Sequence, residues 1–128
     1  MATYTLSPIY EPQYVPFGSG GGLTFASSIG GGFTVPANNR FVIQTCRVAN
    51  NSGSPVTFEV WRVPGGAAQD NQHIIVPQIN IPVATQTDAW FDVGPLWGVV
   101  LNFGDTIIMA AGTANALVVQ ADGAVVVT

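Results

Sequence analysis

The chain contains no lysine, one cysteine and one histidine, and these shortages exclude more than its 128 residues affirm. Three arginines, at positions 40, 47 and 62, cannot build the basic patch that grips phosphates, so no nucleic-acid partner is expected. A lone Cys46 rules out an intrachain disulfide or a cysteine cage for a metal, and it reads as a buried small hydrophobe. A lone His73 leaves no imidazole set for a metal-dependent cupin; Ser-His-Asp chemistry would have to run through that same His73, and Ser19 sits in no nucleophile-elbow pattern. Neither a metal nor a cofactor is expected, and with no acid/base or nucleophile constellation the chain reads as a non-enzyme. The longest apolar runs, such as Ile107 to Ala111, fall far short of the roughly 20 residues of a membrane helix. The start, Met1 to Pro8, has no basic segment followed by an apolar one, so no secretory signal is expected.

Charge is the largest deficit. Charged residues are 8% of the chain, with a formal net charge of −4, against roughly 25% in an average soluble domain. A monomer of this mass exposes about 6,400 Å², which is roughly one charge per 640 Å². Hydrophobic residues are 48% and aromatic residues 10%, ample for a packed core. Neutral surface on this scale predicts a partner that is itself protein.

Residues 1–32 carry Pro8, Pro12 and Pro16 and then seven of the fifteen glycines, a composition that disfavours both helix and central strand. They read as an extended arm. Its Tyr4, Tyr10, Tyr14 and Phe17 are expected to lie on a partner, and its removal is expected to leave a folded domain.

From Phe33 to Thr128 short runs rich in Val, Ile, Phe, Thr and Trp alternate with Gly, Pro and Asn clusters every eight to twelve residues, the spacing of an all-β sandwich or barrel. Strands are expected over 41–49, 56–63, 73–76 with 79–83, 89–93, 98–101, 106–111, 116–121 and 124–128, about eight in all, with almost no helix. Asn50 to Pro55 reads as a hairpin turn. On the strand after it, Val56, Phe58 and Val60 are expected to face the core. Arg47 and Arg62 would then sit on neighbouring strands, near Glu59, as a cross-strand ion pair.

Between Val93 and Ala121 the only charge is Asp105, so the strands there are apolar on both faces. This predicts an oligomer interface, with Ile107, Met109, Val119 and Val126 as its residues. Gly18 to Thr24 lacks the lysine and helix start of a phosphate loop. Asp88, Trp90 and Asp92 share one strand face, where carboxylates beside an indole could hold a sugar or a calcium ion, though a solvated strand face is the plainer reading. Trp90 and Trp97 are the candidate stacking residues.

The runs Phe33 to Ile43 and Arg47 to Phe58, with the later Leu101 to Ile107 and its Gly104-Asp105 turn, resemble small jelly-roll proteins of tailed bacteriophage virions. The resemblance covers about residues 33–128. It implies an antiparallel jelly-roll sandwich, commonly trimeric, located in the virion and assembled in the host cytoplasm. The role it implies is a capsid decoration (cement) subunit that binds the major capsid protein on the shell exterior. The alternative is a tail-fibre or receptor/carbohydrate-binding domain.

Overall fold

The structure is a computed structural model and describes residues 3–65 and 67–127. Met1, Ala2 and Thr128, at the outer ends of the expected arm and sandwich, lie outside the described residues, as does Gly66. The described residues form nine strands: β1 (Thr3–Tyr14), β2 (Gly21–Gly22), β3 (Asn39–Asn50), β4 (Val56–Val63), β5 (Ile74–Ile81), β6 (Phe91–Asp92), β7 (Val100–Leu101), β8 (Thr106–Ala111) and β9 (Leu117–Val127). Three single 3₁₀ turns, Ser27–Ile29, Asn71–His73 and Gly94–Leu96, are the only helical residues among those described.

Two antiparallel sheets hold these strands. Sheet A runs β1-β9-β3-β6, with β7 also on β3; sheet B runs β2-β8-β4-β5. The pairing is nested: β1 with β9, β2 with β8, β3 with β6 and β7, β4 with β5. A chain folded once into a long hairpin and then wound into two sheets has this pattern, which defines a jelly roll. The expected fold class is therefore present. The inner faces meet in one core, with Phe41, Ile43, Val48, Phe58, Val60, Ile81, Leu101, Ile107, Met109, Leu117 and Val119 all out of water. Val56, Phe58 and Val60 point inward as their alternation requires.

The first 32 residues depart from expectation. They supply the first two strands of the roll, and Ile9, Tyr10, Val15, Leu23, Phe25 and Ala26 are buried core. Tyr10 stacks on Phe25 with ring centres 5.0 Å apart, and Phe25 meets Phe41 edge-on at 4.9 Å. The prolines are tolerated because β1 is an edge strand, with no neighbour on its other side to need a proline N–H. Register shifts after Pro8 and after Tyr10 let the strand follow β9 while both Ile9 and Tyr10 face inward. Gly30, Gly31 and Gly32 all adopt positive φ, closing a loop in which Phe25 N donates to Gly32 O at 2.8 Å, with Ala26 N donating to Ile9 O at 2.8 Å. The arm is thus part of the sandwich.

The expected hairpin at Asn50–Pro55 is instead a crossover between sheets, since β3 lies in sheet A and β4 in sheet B. Asn50, buried, fixes the corner. Its Nδ2 donates to Ser54 O and Ile81 O, both at 2.9 Å, and its Oδ1 accepts from Ser52 N at 2.9 Å and Ser52 Oγ at 2.7 Å. The crossover also parts Arg47 from Arg62. Arg62 Nε reaches Asp105 Oδ2 at 3.2 Å, and no ion pair among the described residues involves Glu59.

Candidate interaction surface

Alternation along the strands of sheet A sets which side chains point away from the core. Row by row, the register places Tyr4 beside Val126 and Arg40, Leu6 beside Ala124, Val42 and Val100, Pro8 beside Asp122 and Thr45, Gln120 beside Arg47 and Asp92, and Tyr14 beside Val118 and Ala49. Tyr4, Leu6 and Tyr14 are exposed, and Val42, Val100, Val118 and Val126 half-buried. Gln44, the unpaired residue of a bulge opposite Gly123, donates from Nε2 to Tyr4 Oη at 3.1 Å.

The expected site residues therefore divide. Of the aromatic set, Tyr4, Tyr14 and Phe17 are on the surface, whereas Tyr10 is in the core. Of the expected interface residues, Ile107, Met109 and Val119 are fully buried within their own subunit, because the strands of the C-terminal half are covered by the opposite sheet and by neighbouring strands. Only Val126 faces outward. The second face of β8 needs no symmetry mate to be apolar: its Ile108 and Ala110 form a small cluster with Trp61 and Val63 of β4 and Ile74 of β5.

A rim of exposed apolar residues lies at one end of the sandwich and was not singled out in the sequence. The segments around Val35 and Gly104 run side by side, with Val35 N donating to Asp105 O at 3.1 Å and Gly104 N to Val35 O at 3.0 Å. They carry Phe33, 56% exposed, and Phe103, 66% exposed. Val127 and Leu6 belong to the same end, where Leu6, Ile29, Pro36, Val125 and Val127 line a groove of about 680 Å³. Asp105 holds this turn rigid: its carboxylate accepts from Asn102 N at 2.9 Å as well as from Arg62. The sequence signal available was an aromatic in each of two Gly-containing turns, Gly32-Phe33 and Phe103-Gly104.

At the far end a pocket of about 310 Å³ is lined by Thr85, Asp88, Trp90, Asp92 and apolar neighbours. The three residues paired by spacing all line this pocket, but strand here is limited to Phe91–Asp92, so Asp88 and Trp90 do not share the expected strand face with Asp92. Arg47 Cζ lies 5.5 Å from the centre of the Trp90 ring, a cation–π contact. Trp97 does not line this pocket; its Nε1 donates to Cys46 O at 3.4 Å. His73 Nδ1 lies 3.0 Å from both the Ala68 carbonyl oxygen and an Asp70 carboxylate oxygen, tying down the loop before β5. Among the described residues no three His, Cys, Asp or Glu side chains converge to hold a metal ion.

No family model matches the chain. No curated protein matches it either. Among solved structures it is similar to a chain in the structure of infectious bursal disease virus, Gt strain, at 6% identity and a TM-score of 0.30, over 98% of this chain and 31% of that one. This chain thus spans about a third of that protein's length, and a likeness so slight carries no inference about function.

Proposed function

We propose that the chain is a non-enzymatic structural subunit of a virion, a capsid decoration subunit that binds the shell exterior and stabilises it. The reading rests on the sequence resemblance to phage jelly-roll proteins. The observation that carries it is the rim of Phe33, Phe103 and Val127, exposed on a surface that has very few charges. Each such ring passing from water into a protein contact contributes about 1.5–3 kcal/mol, and a shell offers the same contact many times over. The rim takes the place of the arm as the shell-binding element, since the tyrosine-bearing segment is tied into the sandwich.

The test is attachment to purified shells of the major capsid protein. The paired change Phe33→Ser and Phe103→Ser touches loops only, so the fold should persist while affinity falls at least tenfold, by about 1.4 kcal/mol or more. Undiminished binding would overturn the rim as the contact. Copy number per virion then separates the roles, since decoration requires stoichiometry comparable to the major capsid protein.

The alternative, a fibre domain that binds carbohydrate, is favoured by one observation, the meeting of Asp88, Trp90 and Asp92 around a single pocket. A low copy number, with loss of receptor binding on Trp90→Ala, would favour it.

A further inference from the structure

We infer that the outer face of sheet A is a self-association surface, and that its occupant is the same face of a second copy, related by a two-fold axis. The inference is independent of the virion reading, because it concerns how the subunit meets itself.

Other ways for two copies to join are obstructed. The long edge strand of sheet A, β1, carries Pro8 and Pro12 and two register shifts, and the opposite edge consists of the two-residue strands β6 and β7. In sheet B one edge is the two-residue β2 and the other is β5, interrupted by Pro77. Prolines, bulges and very short strands are the features that prevent a sheet from extending sideways into another. The outer face of sheet B is partly occupied by its own chain, where Trp61, Val63 and Ala110 are already buried. Sheet A remains, with its outer face open.

That face has the extent and charge such a contact needs. From Val118 to Val126 is eight steps along β9, about 27 Å, and four strands span roughly 19 Å, giving on the order of 500 Å² in projection. Side chains standing on a pleated surface expose more than its projection, which brings the face to the scale of the roughly 800 Å² per partner that a specific dimer buries. The charged residues in its paired rows are Arg40, Arg47, Asp92 and Asp122, which sum to zero; the exposed Glu11, in the β1 bulge between Tyr10 and Gln13, brings the sum to −1, against −4 for the whole chain. Two copies can meet here with little net repulsion, over Leu6, Val42, Val100, Val118 and Val126. A patch that packs on itself must be two-fold symmetric, whereas a three-fold ring needs two different patches. On this inference the assembly is a dimer, whereas the sequence resemblance implies a trimer.

Light scattering on the purified chain at micromolar concentration tests this. The expected mass is twice the 13.3 kDa of the chain. Val118→Glu and Val126→Glu, both outward-facing, should each shift the mass toward the monomer while leaving the strand circular dichroism unchanged. Phe103→Glu, on the rim beyond the face, should leave the dimer intact. A wild-type mass of one or three chains would overturn the inference. So would folded Val118→Glu and Val126→Glu variants that both remain dimeric. Loss of shell binding in the Phe33 and Phe103 variant with the dimer retained would fail neither proposal, and dimer loss without loss of shell binding would separate the two surfaces.

Discussion

At position 50 one carboxamide spends its whole hydrogen-bonding capacity, two donors and two acceptor sites, on the corner where the chain leaves sheet A for sheet B. Asn50→Ala strands the buried Ile81 carbonyl and frees the loop, so a loss of about 2–3 kcal/mol is expected in urea unfolding. Tyr10 is the converse case. Its hydroxyl is buried with no hydrogen-bond partner, and burial first, then the proximity of Cys46, pushes its pKa well above the usual value. Tyr10→Phe keeps the stack on Phe25 and removes the orphaned group, so it should raise stability by about 1 kcal/mol. Burial likewise raises the Cys46 thiol from 9.0 to about 12. The folded state keeps the proton that the unfolded chain releases, so this stability is complete below pH 9.0 and drains away as pH rises toward about 12. Urea midpoints at about pH 8 and about pH 10 should differ, and Cys46→Ala should reduce that difference.

Among the elements, β1 and β2 were hidden by the residues that usually argue against strands. Pro8, Pro12 and the glycine runs signal an arm only if an element is judged alone; in the roll they suit an edge strand and a two-residue strand. Removing residues 1–32 strips the outer strand from both sheets and takes Ile9, Tyr10 and Phe25 out of the core. The truncated chain is expected to be unfolded by circular dichroism, contrary to the behaviour of a detachable arm. Two continuous strands also look interrupted in the sequence. Pro77 hid the continuity of β5, an edge strand that can dispense with one N–H, and Asp122-Gly123 mimicked a turn inside β9. Gly123 is there because β3 presses on it: a Cβ would collide with the Val42 carbonyl oxygen. Gly123→Ala should cost about 3 kcal/mol, measured as a lowered melting temperature.

For the whole molecule, the nested pairing joins the first strand to the last, so most contacts that stabilise the roll are distant in sequence. Loop closure must precede their formation, and refolding from urea is expected in the millisecond-to-second range that characterises sandwiches, resolvable by stopped flow. The accessible surface of 6498 Å² is about what a monomer of this mass exposes. The shortage of charge is thus spread over an ordinary area, which is the ground for proposing the exposed rim and the open face of sheet A as protein-contact surfaces.

By itself the sequence determined the class of fold and the inward face of its strands, because period-two alternation and turn residues are local properties. Val56, Phe58 and Val60 could be placed without a partner strand in view. It also determined which surface chemistry is scarce, since composition does not depend on folding. Only the tertiary structure decided which strands pair, and with that which apolar face is core. Ile107, Met109 and Val119 look the same in sequence whether their second face meets the same chain or another. Phe33 and Phe103 lie seventy residues apart and become one rim only because the segments around Val35 and Gly104 hydrogen-bond across the end of the sandwich. Pairing between distant segments is a property of the closed chain, and no window of neighbouring residues contains it.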